Sequence, residues 1–269
     1  MGKIVNDAYF TPVTTANKCI DKVLDLIGGN NISEIIEPSV GSGSFLHHQD
    51  TLIHFGYDIE PMCKSEITSI IKGDFLQQDI KYLEGRLVIG NPPYGRCLSL
   101  ARKFFKRSIE IGDYIAFILP ISQLDNVNTF YEFDLIHSED LGLLKYSDRE
   151  LHCCFNIYKR PVGELNKKPS HKLKDVIIVR QDSKKYNTID KFDFRFCYWG
   201  DGSAGKIVKG DKKYAGEYKI VINNDDLRED IKRLFETYDW KNTINAIAMR
   251  RIKQWQIIEI LKDNIIGIS

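Results

Sequence analysis

The string Asn91-Pro92-Pro93-Tyr94 combines residue types that can hold a planar group bearing an amine. Two consecutive prolines fix the backbone and remove two donors, which leaves carbonyls and the Asn91 amide oxygen as acceptors. An amino group carries two hydrogens, so two convergent acceptors would grip it and turn its lone pair toward an electrophile. Tyr94 adds a flat surface on which a planar substrate could stack. Taken alone, the string could be only a stiff turn. It follows Leu87-Val88-Ile89-Gly90, however, an apolar run that reads as a buried strand.

A second set of residues lies upstream. Ile35-Ile36-Glu37-Pro38-Ser39-Val40-Gly41-Ser42-Gly43-Ser44-Phe45 reads as a strand entering a Gly-rich turn, where glycines let the backbone pass close to a ligand. A tight structural turn would look the same. About fifteen residues on, a strand ending at Tyr57 delivers Asp58, placed to accept from ribose hydroxyls. The next strand ends in Gly73-Asp74-Phe75. Asp74 could accept from the exocyclic amine of an adenine while Phe75 packs on its ring. Each acid alone could belong to a surface loop or helix cap. Three successive strand ends presenting such groups instead define one edge of a sheet. A dinucleotide fits poorly, because Leu46 stands where G-x-G-x-x-G needs its third glycine.

Parallel strands are needed to bring these groups to one edge. Short apolar runs at 32–36, 52–57, 69–71, 87–89 and 114–119 read as buried strands. Helical spacing at 98–111 supplies a crossover, so the first half is α/β with βαβ units. Thr11 is expected as the N-cap of a preceding helix, with Pro12 at its first position and Gly28-Gly29 at its end. Residues 126–136 fit a short helix leading into a strand, and 151–159 fit another strand. The polar stretch 163–174 with Pro169 reads as a loop and a boundary. Beyond it, 176–180, 194–199, 205–208 and 217–222 read as strands, and 224–238 and 243–261 as closing helices.

At 269 residues the chain can bury a full core. No apolar run approaches the roughly 20 residues that span a bilayer, and the start lacks a secretion signal. Asp7 stands where a myristoylation signal after Gly2 wants Ser or Thr. A cytoplasmic protein is the expectation, with no membrane partner. The six cysteines include no C-x-x-C pair, so neither a zinc site nor any other metal is expected. The net charge of +1 hides an asymmetry: roughly −7 over 1–158, +8 over 159–219 and 0 thereafter. The Lys-rich middle could neutralise phosphates or be simply a solvated loop region.

These motifs together resemble the amino-methyltransferases, and in particular the N6-adenine DNA methyltransferases. Over residues 8–160 the motif order is similar to that family's catalytic domain in its gamma arrangement. Tyr9-Phe10-Thr11-Pro12 resembles the N-terminal cofactor motif, and Glu37-Pro38-Ser39-Val40-Gly41-Ser42-Gly43 the Gly-rich one. Asp58-Ile59-Glu60-Pro61 and Gly73-Asp74-Phe75-Leu76 resemble the next two, and Asn91-Pro92-Pro93-Tyr94 the catalytic loop. Phe117-Ile118-Leu119-Pro120 resembles the strand motif that follows. Phe155 resembles the aromatic that packs on a flipped base, though a core Phe would read the same. One departure is the spacing: only about fourteen residues separate Gly43 from Asp58, room for little more than a helical turn or two.

The resemblance implies a Rossmann-like S-adenosylmethionine-dependent methyltransferase sheet over 1–160 and a small α+β target-recognition region over 161–269. It implies S-adenosyl-L-methionine held by Tyr9, Phe10, Thr11, Pro12, Glu37, Pro38, Ser39, Gly41, Gly43, Phe45, Asp58, Ile59, Asp74, Phe75 and Asn91. Catalysis would fall to Asn91, Pro92, Pro93 and Tyr94, and base binding to Tyr94 and Phe155. The implied partner is double-stranded DNA with a short target, bound by a monomer or weak dimer with room for an accessory protein. Glutamine methyltransferases of release factors, RNA adenine and N4-cytosine enzymes share the chemistry. The last group more often has Ser where Asn91 stands. A non-catalytic nucleic-acid-binding subunit is the reading from another class. In the recognition region Lys residues and Tyr186, Phe194, Phe196, Tyr198, Trp199 and Tyr214 suit phosphate contacts and stacking. The alternation from Phe192 to Tyr198 makes several of these aromatics core candidates, and Arg250, Arg251 and Lys253 could face DNA or solvent.

Overall fold

The computed structural model describes residues 11–49, 53–146, 149–200, 202–240 and 251–269. The chain divides into two compact units, Met1–Lys168 and Pro169–Ser269. The division falls within the polar stretch 163–174.

In the first unit the short apolar runs form strands, the central ones of which are covered on both faces. β1 (Glu34–Glu37), β2 (Phe55–Asp58), β3 (Ser69–Lys72), β4 (Arg86–Gly90) and β5 (Tyr114–Pro120) are parallel. β6 (Asp134–Tyr146) and β7 (Arg149–Lys159) form an antiparallel hairpin, of which β7 pairs antiparallel with β5. The sheet order is β3-β2-β1-β4-β5-β7-β6, a Rossmann-like sheet. β1 lies between β2 and β4, so the chain's direction of travel reverses there and the loops leaving β1 and β4 part around a crevice. No helix among the described residues is long and apolar enough to cross a membrane.

α1 (Val13–Ile27) buries Ala16, Cys19, Ile20, Val23 and Ile27, the spacing of a single helical stripe. That stripe joins a core with Ile35, Leu87, Ile89, Ala116 and Ile118 from the sheet. α2 (Ser99–Ile111) presents Ala101, Phe104, Phe105 and Ile109 to the opposite face, where Ile36, Val88, Ile115 and Phe117 lie. Between β1 and β2 there is only the 3-10 turn Ser44–His47, as the short spacing requires. α1 begins one residue later than expected: Pro12 is the N-cap, without a side-chain capping bond. Thr11 is a correction, because its hydroxyl is engaged elsewhere, by Asn91.

The long strand β6 departs from the helix-then-strand reading of 126–136. Its pairing with β7 shifts register between Leu135 and His137 and again between Asp140 and Gly142. Each bulge slips the alternation by one residue, which hides the period-two signal.

Phe155 is a second correction. It is fully buried on β7 within the cluster under α1. Tyr94 belongs to the cluster on the α2 face. With no exposed surface, Phe155 offers no open face to a base.

In the second unit β8 (Val176–Arg180), β9 (Phe194–Cys197), β10 (Lys206–Val208) and β11 (Glu217–Ile222) form an antiparallel sheet in the order β10-β9-β11-β8. One face packs Phe194, Phe196, Tyr218 and Ile220 against α3 (Arg228–Thr237) and α4 (Gln254–Asn264). Phe196 meets Phe235 edge-on at 4.9 Å and 84°. Phe194, Phe196 and Tyr198 are therefore core residues, not stacking platforms. Of the expected helix 243–261, residues 243–250, Arg250 among them, lie outside the described residues.

A core role for Phe155 has a measurable consequence. Phe155→Ala is expected to cost about 3–5 kcal/mol of stability and to lower the melting temperature by roughly 10 °C or more. Thermal unfolding by circular dichroism checks this. An unchanged melting temperature would mean the side chain is not packed as described.

Candidate functional site

Four of the five parallel strands end by delivering one polar group to the same edge. β1 ends on Glu37, β2 on Asp58, β3 runs into Asp74, and β4 runs into Asn91. Asp58 holds the Gly-rich turn in place: its Oδ2 accepts from Gly41 N at 2.8 Å and its Oδ1 from Glu60 N at 2.8 Å. A carboxylate has about four lone-pair sites, so acceptor capacity remains for a ribose. Asp74 caps the short 3-10 turn after β3, accepting from Leu76 N at 3.0 Å through Oδ1.

The turn itself requires glycine at position 43. Gly43 has φ 82°, and a Cβ there would lie 2.9 Å from Cys63 Sγ. Met62 N donates to Gly41 O at 3.0 Å, so residues 62–63 lie against the turn. Neither Met62 nor Cys63 stood out in the sequence, because no motif spacing links them to Gly41 and Gly43. Ile59, beside Asp58, is 64% exposed and leaves an apolar surface open there.

The Asn91–Tyr94 loop is joined to both neighbouring segments. Asn91 Nδ2 donates to Thr11 Oγ1 at 3.2 Å, and Ser39 Oγ donates to Asn91 O at 3.1 Å. Ser44 Oγ in turn donates to Thr11 O at 2.5 Å. In this arrangement the amide nitrogen of Asn91 faces Thr11 and its oxygen is the opposite end. Pro92 is buried and Pro93 half-buried. After Gly95 the loop passes through Cys97 (φ 53°) and Leu98 (φ 63°), two non-glycine residues in the left-handed region. Such residues cost about 1–2 kcal/mol each, and they concentrate where a loop is held for function.

Glu37 is the electrostatic anomaly of the site. It is 2% exposed, and its Oε2 is buried without a hydrogen-bond partner. Burial first, and then the neighbouring Asp58, push its carboxyl well above the ordinary value. Burial also pushes up the Cys63 thiol, with Glu37 and Asp58 adding to it. A buried carboxyl lacking a partner fits a ligand that brings a cationic or donor group. The edge therefore brings together the Asp58 and Asp74 carboxylates and the unpartnered buried carboxyl oxygen of Glu37.

Several expected residues are placed elsewhere. Phe45 is 1% exposed in the core under α1. Phe75 is equally buried, between Tyr57 (5.7 Å between ring centroids) and Phe104 (5.5 Å), so it supports the edge from below. Tyr94 is 7% exposed, with its ring in the α2-side core and its hydroxyl 3.8 Å from Cys153 Sγ. Its carbonyl accepts from Leu100 N at 3.1 Å, so it anchors the loop to α2 and is not an open stacking surface. Pro12 and Pro38 lie beside Thr11 and Glu37, and Tyr9 and Phe10 are outside the described residues. No group of His, Cys, Asp and Glu among the described residues could hold a metal ion.

No protein-family model matches the sequence, and no curated protein does either. Among solved structures, the chain is similar to a candidate RNA methyltransferase from Pyrococcus horikoshii: 15% identity, 60% of this chain and 91% of that one, TM-score 0.47. It is also similar to a candidate class I S-adenosylmethionine-dependent methyltransferase from Listeria monocytogenes: 16% identity, 63% and 65% coverage, TM-score 0.46. A third is the 23S rRNA methyltransferase ErmE: 12% identity, 60% and 72% coverage, TM-score 0.43. The fold assignment rests on the strand order itself.

The position of Glu37 has a pH signature. A carboxyl in the unfolded chain ionises near its ordinary value of 4.5, whereas folded Glu37 keeps its proton to a higher pH. The folded state then binds more protons than the unfolded one, so stability falls as pH rises through that window. The contribution is complete below the ordinary value and is lost as pH climbs through the folded one. Glu37→Gln cannot ionise and is expected to lose less stability than the wild type between acid and neutral pH. Urea unfolding of both proteins across that range checks it; parallel curves would exonerate Glu37.

Proposed function

We propose that the protein is an S-adenosylmethionine-dependent methyltransferase that modifies the N6 amine of a flipped-out adenine in DNA. The observation that carries this reading is the Asn91 amide, oriented by Thr11 at the carboxyl end of β4 beside Glu37.

Asp58 would accept from the ribose hydroxyls, Ile59 would lie against the cofactor adenine, and Asp74 would accept from that adenine's amine. The unpartnered Oε2 of Glu37 suits the cationic end of the cofactor. Bound S-adenosylmethionine supplies an electrophilic methyl group on a sulfonium, whose departure leaves a neutral thioether.

The target amine is a weak nucleophile because its lone pair is delocalised into the ring. The Asn91 amide oxygen and the Pro92 carbonyl would each accept one of its hydrogens, favouring a pyramidal nitrogen and stabilising the positive charge that develops there. Within a duplex the amine is enclosed by the base stack, so the base must leave the helix to reach the loop. Glu37-Pro38-Ser39 and Tyr9–Pro12 favour adenine in nucleic acid over protein glutamine, and the choice of DNA over RNA follows the resemblance of the motif order to the DNA adenine family.

Incubating the full chain with mixed-sequence DNA and S-adenosylmethionine, followed by modified-base mapping, tests the assignment. N6-methyladenine within a short motif is expected, reduced by roughly a hundredfold or more in Asn91→Ala, as for loss of one transition-state hydrogen-bonding group. Methylated glutamine in a protein substrate, or methyladenine in RNA alone, with unmodified DNA, would overturn it.

A further inference from the structure

We infer that the outer face of the second unit's sheet is a preorganised phosphate-binding surface for duplex DNA, with Lys184, Lys185, Lys209, Lys212 and Lys213 as its phosphate ligands. The choice of ligand rests on the nucleic-acid reading above; the surface itself rests on the second unit alone.

The register of β9 and β11 pairs Arg195 with Lys219 and Cys197 with Glu217. Alternation puts Arg195, Glu217 and Lys219 on the face opposite the Phe194, Phe196, Tyr218 and Ile220 core. On an ordinary half-solvated sheet these charges would extend into water. Here all three are turned onto two loops that cross the face.

The first loop joins β8 to β9. Its Tyr186 hydroxyl donates to Glu217 Oε2 at 3.1 Å. Lys219 Nζ donates to Tyr186 O at 2.8 Å and Ile189 O at 2.7 Å, with the Tyr186 and Phe192 rings 4.5 and 5.0 Å away. Burial, with Glu217 beside it, pushes the Tyr186 phenol up to about 12, so it stays protonated and donates. The second loop joins β10 to β11. Tyr214 N donates to Glu217 Oε1 at 2.6 Å. Arg195 donates to Lys212 O at 2.9 Å and to Gly210 O, and pairs with Glu217 Oε2 at 3.3 Å.

One carboxylate that is 2% exposed thus organises both loops. Burying an ion pair adds little net stability, so its better-attested use is to specify one arrangement. What it arranges is lysine. Lys184 and Lys185 on one loop, and Lys209, Lys212 and Lys213 on the other, are all exposed. Of the acids on these loops, Asp182 and Asp193 pair with Arg180 and Arg228, while Asp190 and Asp211 are exposed beside the lysines. The unit as a whole carries twenty Lys and Arg against fifteen Asp and Glu. Loops already fixed lose less entropy on binding than free ones, and exposed ammonium groups carried on such loops suit phosphate contacts.

Fluorescence anisotropy with a labelled DNA duplex and the full chain, over a salt series without cofactor, tests the surface. Replacing Lys209, Lys212 and Lys213 together by Gln is expected to flatten the dependence of log K on log salt by about 0.9 for each phosphate no longer neutralised. Tyr186→Phe keeps every charge but removes the Glu217 bond, and is expected to bind several-fold more weakly. Equal affinity in that variant would overturn the preorganised arrangement, and an unchanged slope in the triple variant would overturn the surface. Equal competition by polyglutamate, or binding of duplex RNA in place of DNA, would overturn the ligand. Titration with S-adenosylmethionine reads separately: its failure would overturn the catalytic reading while the lysine-dependent slope still decides this one.

Discussion

The hydrogen bond from Asn91 Nδ2 to Thr11 Oγ1 joins residues 80 positions apart, and the rest of the site is arranged around it. Ser39 ties the Gly-rich turn to the carbonyl of Asn91, and Ser44 ties the same turn to the carbonyl of Thr11. Three segments from different sides of the crevice are thereby fixed relative to one another. Each such bond contributes only about 0.5–1.5 kcal/mol net, a small part of the stability of the unit. Their value lies in direction. The Asn91 amide meets Thr11 through its nitrogen, which leaves its oxygen at the other end.

The second constraint is a sheet covered on both faces. A central strand has no solvent-facing side, so every aromatic near a strand end must join one core or the other. Phe45 and Phe155 join the core under α1, and Phe75 and Tyr94 the core under α2. The groups left to meet a ligand lie at or just past the last paired residue: Asp58 with Ile59, Asp74, and Asn91. Glu37 is the exception. It lies at the end of β1 and is buried, and its carboxyl remains protonated above the usual range because nothing cationic among the groups acting on it offsets the burial.

The parallel strands were legible because their runs are apolar on both faces, and 176–180 and 217–222 coincide with β8 and β11. The polar groups at strand ends were legible from their position after those runs. β6 was hidden because two bulges break its alternation and charged residues such as Glu139 and Asp140 interrupt its apolar pattern. The role of Thr11 was hidden because Thr before Pro looks locally like a helix cap, whereas its partner lies far along the chain. The aromatics failed for a related reason: Phe beside a motif acid is the same letter whether it faces a ligand or the core. Glu217 gave no signal at all, since its two loops meet only through pairing of β9 with β11.

Calorimetric titration of the full chain with S-adenosylmethionine tests most directly whether the edge beside Glu37, Asp58 and Asn91 is a cofactor site. A single saturable site, weakened when Asp58 is replaced by Ala, is the expected result. Absence of binding by the folded wild-type chain would contradict it.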